Sequence, residues 1–165
     1  GGPGWPGRRL LPTGVFTASM YDPILVPTDG SEASARAAEE AFRLARAFDA
    51  TVHLLFVLDE SAFSLLFSKE SMGPRFERLM AEAEEYLDDL AGRAGDVPVV
   101  TATVRGMGVH HGIANYARNE GVELVVMGSR GRSGPAGVLG STTHRVTGST
   151  DVPVLVVSAP EADEE

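Results

Sequence analysis

The sequence has 165 residues and a formal net charge of −9, with 23 acidic side chains against 14 basic ones. This length suits one domain that buries about two thirds of its unfolded surface, and the negative charge argues against binding nucleic acid by phosphate neutralisation. Cysteine is absent, which excludes disulfides and zinc–thiolate sites and is typical of a cytoplasmic protein. Because no apolar run reaches the ~20 residues of a membrane span, we expect no transmembrane segment.

The two ends of the chain differ in composition from the rest. Residues 1–19 begin with a glycine- and proline-rich stretch, and we expect them to form a disordered N-terminal extension. A twin-arginine export signal at Arg8-Arg9 is the alternative, but the apolar stretch that follows is short and interrupted. Residues 20–159 are predicted to form the folded domain, and residues 160–165 an acidic tail that frays.

From Met20 onward, short apolar runs alternate with segments that repeat apolar residues at helical spacing. In chain order this pattern predicts strand 23–27, helix 32–47, strand 51–58, helix 69–91, strand 97–104, helix 110–119, strand 122–127, helix 141–148 and strand 152–157. The first helix has a clear apolar stripe between Ala38 and Phe48. The Gly73-Pro74 pair weakens the prediction for the first turn of the second helix.

This alternation predicts an α/β fold, namely a doubly wound, Rossmann-like, five-stranded parallel sheet with helices on both faces. We expect the strand order 3-2-1-4-5, in which the first and fourth strands are neighbours. Ligands of such sheets bind outside the carboxyl ends of the strands, where the winding reverses. The turn at Asp29 and the segment from Gly128 to Gly131 would therefore face one crevice.

The most informative segment begins at the end of the fourth strand. The apolar run 124–127 stops at Gly128 and Gly131, and Gly140 precedes two hydroxyl residues at the start of a predicted helix. Glycines let backbone N–H groups approach an anion, and a helix N-terminus favours negative charge. The pattern predicts a phosphate-binding cradle; the alternative is that the glycines serve only tight turns.

Four segments together resemble the universal stress protein (UspA) family, and the resemblance extends from Tyr21 to Ser158. They are Pro27-Thr28-Asp29-Gly30-Ser31, Met127-Gly128-Ser129-Arg130-Gly131, Gly140-Ser141 and Pro153-Val154-Leu155-Val156-Val157. ATP-binding members of this family carry glycine, two residues, glycine, nine residues, glycine and then serine or threonine. Here only eight residues, 132–139, separate the second glycine from the third. The phosphate loop is thus one residue shorter, and its own glycines and proline give it room to rearrange.

The resemblance implies an ATP-binding, homodimeric regulatory or stress-response protein. It implies that Asp29 holds the ribose hydroxyls, or a metal ion such as Mg²⁺ near the phosphates. The residues implied for nucleotide binding are Pro27, Thr28, Asp29, Val57, Met127, Gly128, Ser129, Arg130, Gly131, Gly140, Ser141 and Thr142. It also implies dimerisation through the fifth strand (Pro153, Val154, Leu155, Val156 and Val157), because an apolar edge strand exposes unpaired backbone groups.

Several alternatives remain open from the sequence. Asp29 could serve solely to accept hydrogen bonds from N–H groups at the start of the first helix, although Ser31 is available as the N-cap of that helix. The protein could be an interaction dimer that binds no nucleotide, or a weak ATPase. We do not expect an enzyme, because no nucleophile–base pair or carboxylate pair is evident. We do not expect a metal site at His110 and His111, because adjacent helical residues point about 100° apart.

Overall fold

The computed structural model describes residues 8–10, 16–18, 20–61, 69–129 and 139–158. The strands are β1 (Arg8–Leu10), β2 (Phe16–Ala18), β3 (Ile24–Pro27), β4 (Val52–Asp59), β5 (Val99–Gly106), β6 (Leu124–Gly128) and β7 (Val154–Val157). The helices are α1 (Glu32–Phe48), α2 (Lys69–Ala91), α3 (Val109–Asn119) and α4 (Ser141–Ser149), and a short 3₁₀ turn follows α2 at Gly92–Ala94.

The main sheet has five parallel strands in the order β5-β4-β3-β6-β7. This order confirms the predicted arrangement 3-2-1-4-5 and the doubly wound α/β fold. Within this sheet the central strand β3 comes first along the chain, β4 and β5 follow on one side, and β6 and β7 are then added on the other. The winding therefore reverses between β3 and β6, where ligands of such sheets bind.

The two faces of the sheet carry separate apolar layers. Ile24 and Val26 of β3 point into the layer beneath α1 and α2, while Leu25 between them points into the layer beneath α3 and α4. This alternation follows from the two-residue repeat of a strand. Because β3 is buried on both faces, it has to be apolar throughout.

Local sequence signals explain why α1 begins and ends where it does. Ser31 is its N-cap, and the Ser31 hydroxyl accepts a hydrogen bond of 3.2 Å from the backbone N–H of Ser34. Asp49 ends the helix in the left-handed conformation with φ 56°, and its N–H bonds the carbonyl of Ala45. Between these caps, the predicted apolar stripe faces the core: Ala38, Ala41, Phe42 and Ala45 are buried, and Phe48 packs edge-on against Tyr21.

Two expectations about the elements need correction, and one about helix α2 is confirmed. Residues 8–10 and 16–18 form an antiparallel pair of strands, so the predicted disorder of residues 1–19 does not hold there. Strand β5 starts at Val99 instead of 97, because the N–H of Val97 bonds the carbonyl of Ala94 in the preceding turn. Helix α2 has the predicted bounds, Lys69–Ala91, and it continues through Pro74, which lacks the N–H that would bond the carbonyl four residues earlier.

Some expectations fall outside the described residues, namely those for 1–7, 11–15, 19 and the acidic tail 160–165. Within the described ranges, none of the helices is both long enough and apolar enough to cross a membrane.

Candidate functional site

The carboxyl ends of β4, β3 and β6 bring the predicted binding segments together. Strand β3 pairs with β6 so that Ile24 lies opposite Leu124, and the same register carried to the strand ends sets Thr28 opposite Gly128. On its other side β3 pairs with β4, where Pro27 lies opposite Leu55. Two residues further along, this register sets Val57 level with Asp29. The crevice expected from the sequence therefore forms at the point where the winding reverses.

A compact set of hydrogen bonds shapes the turn after β3. Thr28 is buried, and its hydroxyl lies 3.0 Å from the Ser34 hydroxyl and accepts a bond from the N–H of Gly30. The exposed carboxylate of Asp29 accepts a 2.9 Å bond from the N–H of Ser31 through Oδ1. Asp29 therefore does satisfy one N–H at the start of α1, as the alternative interpretation held. Its second oxygen leaves the carboxylate able to accept a hydroxyl or a cation as well.

The two glycine segments meet directly. The N–H of Gly140 donates to the carbonyl of Ser129 at 2.6 Å. The hydroxyl of Thr143, which is buried in the first turn of α4, donates to the carbonyl of Gly128 at 2.9 Å. The start of α4 is thus docked on the end of β6, as the cradle requires. Because the N–H of Gly140 already donates to Ser129, it is not available to bind an anion.

The remaining donors lie at the first turn of α4. Gly140 is the N-cap, and glycine has no side chain with which to cap the helix. The first intrahelical bond is made by the N–H of His144, which donates to the carbonyl of Gly140 at 2.9 Å. The amides of Ser141, Thr142 and Thr143 precede it and have no helical carbonyl to bond. Such a turn, at the positive end of the helix dipole, is suited to an oxyanion.

Gly128 has a packing role that the sequence interpretation missed. A Cβ atom at this position would lie 3.0 Å from the backbone C and O atoms and from the Cβ of Ala33. The end of β6 therefore approaches the first turn of α1 more closely than a side chain permits. This tight contact favours glycine whether or not an anion binds.

The apolar wall of the crevice depends on a second glycine contact. Val57 and Met127, the residues predicted to lie beside an adenosine, are both buried. A Cβ atom on Gly112 of α3 would lie only 2.6 Å from Cγ1 of Val57. Gly112 was not among the predicted site residues, and the Gly106-x-Gly108 pattern just before it was the signal that α3 approaches closely here.

The loop between β5 and α3 forms a further side of this region. The Asp59 carboxylate oxygen Oδ1 at the end of β4 accepts a 3.2 Å bond from the N–H of Gly108, and also accepts from the backbone and hydroxyl of Ser61. Gly108 precedes α3 with φ 99°, a conformation that favours glycine. Asp59 therefore positions the start of α3 beside the end of β4.

His110 and His111 contact each other, contrary to the expectation that they point apart. Their ring centroids are 4.0 Å apart and the rings are tilted by 37°. Desolvation lowers the pKa of His110, the nearby His111 and Arg145 lower it further, and Asp59 opposes them. Among the described residues, no group of three or more histidines and carboxylates is close enough to hold a metal ion.

Part of the predicted cradle lies outside the described residues. Arg130 and Gly131, and most of the eight-residue loop that follows them, belong to the undescribed range 130–138. Their contacts with a ligand, and the effect of the shorter loop, stay predictions.

Comparison with known proteins agrees with this architecture. The model of the universal stress protein family matches residues 20–158. The chain is 34% identical over 148 residues to universal stress protein MJ0531 of Methanocaldococcus jannaschii, a match that covers 88% of this chain and 86% of that protein.

Solved structures give the same result. The structure of MJ0577 from the same organism superposes with a TM-score of 0.75 at 31% identity, covering 87% of this chain and 99% of that one. The structure of a universal stress protein in complex with cAMP superposes with a TM-score of 0.62 at 26% identity, covering 86% of this chain and all (100%) of that one. The chain described here thus belongs to the universal stress protein family.

Proposed function

We propose that this protein is a cytoplasmic, homodimeric regulatory protein of the stress response that binds ATP in the crevice between β3 and β6. The observation that carries this proposal is the junction of the two glycine segments, where Gly140 bonds Ser129 beside the uncapped first turn of α4. Backbone donors collected at a helix N-terminus, next to a buried apolar wall, suit a ligand with a phosphate tail and an apolar base.

The residues divide into three groups by the part of ATP that they would contact. The amides of Ser141 and Thr142, with Gly128, Ser129, Arg130, Gly131 and Gly140, would surround the phosphates. The exposed carboxylate of Asp29 would accept the ribose hydroxyls or hold Mg²⁺ that accompanies the phosphates. Pro27, Thr28, Val57 and Met127 would line the adenosine pocket.

A family member in complex with cAMP supports the choice of an adenine nucleotide. Two features of this chain add to it. The two apolar residues proposed for the base, Val57 and Met127, are buried at the ends of their strands. The first turn of α4 offers the donors that a phosphate chain needs.

The proposed dimer interface is the edge strand β7. This strand ends the sheet, and Leu155 at its middle keeps 39% of its surface exposed. An apolar edge with unpaired backbone groups is suited to pairing with the same strand of a second copy. The carbonyl of Val157 at the end of β7 also accepts a bond from the N–H of Ser129, so the interface would adjoin the phosphate cradle.

We propose binding, and not catalysis, as the role of this site. Its proposed polar groups are backbone amides, hydroxyls, the Asp29 carboxylate and the Arg130 side chain, and a nucleophile paired with a base is not found among the described residues. Positioned phosphates beside Mg²⁺ can still hydrolyse slowly. Weak ATPase activity is therefore compatible with the same binding site.

Calorimetric titration of the protein with ATP and Mg²⁺ tests the proposal. The decisive variant is Ser141→Glu, because a carboxylate in the first turn stabilises a helix but repels a phosphate. Ser149→Glu, at the other end of α4, is the control with the same change of charge. We expect Ser141→Glu to weaken ATP binding at least about ten-fold, equivalent to ~1.4 kcal/mol, and Ser149→Glu to retain it.

A protein that stays dimeric but releases no heat with millimolar ATP would refute the nucleotide proposal. The eight-residue spacing between Gly131 and Gly140 would then mark an interaction dimer that binds no nucleotide. Phosphate release that Ser141→Glu leaves unchanged would identify a contaminating ATPase.

A further inference from the structure

Strand β5 is the second edge of the sheet, opposite the proposed dimer strand β7. The N–H of Val52 in β4 donates to the carbonyl of Pro98 at 3.0 Å, and this bond sets which groups of β5 face inward. In a parallel sheet, every second residue of a strand directs its backbone N–H and carbonyl towards the same neighbouring strand. The backbone groups of Thr101, Thr103 and Arg105 therefore point away from β4, towards the open side of the sheet.

This edge borders a groove of about 670 Å³ between the end of β5 and helix α3. One wall is the end of β5 from Val104 to Gly106 together with Met107 just beyond it, and Met107 keeps 65% of its surface exposed. The other wall is a face of α3 that carries Asn115 and Asn119, one helical turn apart. The volume lies within the usual range for ligand sites, ~300–1,000 Å³.

The helical wall of the groove is held in place. The hydroxyl of Tyr116 lies 2.8 Å from Nδ1 of His53 in β4, and the two rings meet edge to face. The Oδ1 atom of Asn115 accepts a 3.2 Å bond from Arg118, which leaves the side-chain NH₂ group of Asn115 as a donor. The groove thus combines a fixed amide-bearing helix with a strand edge that pairs with none of the described strands.

The edge strand β5 carries a positively charged side chain, whereas the protein as a whole is negatively charged. The guanidinium of Arg105 lies 4.1 Å above the centroid of the Phe76 ring, and in the described ranges no carboxylate forms an ion pair with it. None of the described residues that line the groove is acidic, although the chain carries a net charge of −9. An exposed cation at a strand edge, with no carboxylate partner in the part of the chain that the structure describes, complements an acidic side chain on a strand added there.

We infer that β5 and this groove bind an extended, acidic peptide segment of a partner protein by strand addition. The peptide backbone pairs with the outward groups of Thr103 and Arg105, which is how edge strands recruit peptides. Its side chains alternate between the two faces of the sheet. An acidic residue lies beside Arg105 on the α2 face, and the flanking apolar residues enter the groove beside Met107, whose flexible side chain adapts to different partners.

The probes are two fluorescein-labelled, N-acetylated pentapeptides, Thr-Val-Glu-Val-Thr and Thr-Val-Lys-Val-Thr, measured by fluorescence polarisation with the full chain. We expect the glutamate peptide to bind at least about five-fold more tightly, the scale of one exposed ion pair. Arg105→Glu should reverse this preference. Arg43→Glu on α1, which makes the same charge change at a distant exposed arginine, should preserve it.

A second variant tests the backbone pairing. Thr103→Pro removes an outward N–H, and proline is tolerated on an edge strand when its nitrogen faces solvent. It should weaken both peptides by about ten-fold, roughly the loss of one hydrogen bond. Circular dichroism and the melting temperature show whether it folds; Arg105→Glu still decides the outcome if it does not.

Equal binding of both peptides to the wild type and to Arg105→Glu overturns the inference, and so does the absence of binding at millimolar peptide. Sedimentation velocity tests the alternative, in which a second copy of the chain occupies this edge. If Arg105→Glu or Thr103→Pro changes self-association instead of peptide binding, β5 pairs with a second copy of the chain and the peptide proposal is wrong.

Discussion

The N–H of Gly140 lies 2.6 Å from the carbonyl oxygen of Ser129, and this bond joins the N-cap of α4 to the end of β6. The bond between the Thr143 hydroxyl and the Gly128 carbonyl lies alongside it. Together they hold the first turn of α4 against the strand, so the amides of that turn keep one position relative to β3. A preorganised set of donors binds an anion without the free-energy cost of ordering the donors first.

We expect Thr143→Val to loosen this junction. The substitution retains the shape of the side chain but removes the bond to the Gly128 carbonyl, and Thr143 is only 4% exposed. The free energy of unfolding should fall by about 1–2 kcal/mol, measured by urea denaturation. Thr147→Val is the matched control, because its hydroxyl is exposed and bonds only the helix itself; equal losses in the two variants would contradict a role for the junction.

Gly128→Ala and Gly148→Ala should change stability in opposite directions. The new methyl group at position 128 would lie 3.0 Å from the backbone of Ala33, and relief of this clash should cost about 1–3 kcal/mol. At position 148 in α4 the methyl group meets nothing within 4 Å, so alanine should stabilise the helix by up to about 1 kcal/mol. Thermal unfolding of both variants tests this, and a neutral Gly128→Ala would disprove the close approach.

Gly112→Ala should be rescued by Val57→Ala. The methyl group added at position 112 would by itself lie 2.6 Å from Cγ1 of Val57, which should destabilise the protein by about 1–3 kcal/mol. Removing the Val57 methyl groups supplies the missing space. A double-mutant cycle by urea denaturation should give a favourable coupling above about 0.5 kcal/mol; strictly additive losses would rule out the contact.

We expect the titration of His53 to lower the stability of the folded protein in mild acid. Partial burial lowers the pKa of His53 below 6.5, while Glu120 and Asp22 oppose the shift without cancelling it. The unfolded state therefore binds a proton at higher pH than the folded state does. The stability that neutral His53 contributes is complete above pH 6.5 and is lost as the pH falls through the folded pKa.

Urea denaturation between pH 7.5 and pH 5.5 tests this dependence. In His53→Gln the decline in unfolding free energy with falling pH should be shallower than in the wild type, since glutamine does not titrate. His144→Gln is the control, because His144 is an exposed histidine on α4. Parallel curves for the wild type and His53→Gln would exclude the proposed linkage.

The elements of the fold could be predicted because the periodicity of apolar residues is a local property. The bounds 69–91 of α2 follow from its repeat alone, and the start of α1 follows from the N-cap Ser31. The boundary of β5 could not be read in this way, because Val97 is buried like a strand residue but bonds backward into the turn at Ala94. Burial and strand membership are separate properties, and apolar character reports only the first.

The sequence by itself determined the alternation of strands and helices, the parallel sheet, and the two candidate segments at Asp29 and at Gly128. These segments meet where the winding reverses because β3 pairs with β6, and that pairing is a property of the tertiary structure. The tertiary structure decided what the individual groups do there. It engages the Gly140 amide with Ser129, brings Ala33 against Gly128, and leaves the edge of β5 open beside α3. These outcomes depend on which atoms meet across long stretches of chain, and a local pattern of apolar and polar residues contains no information about such distances.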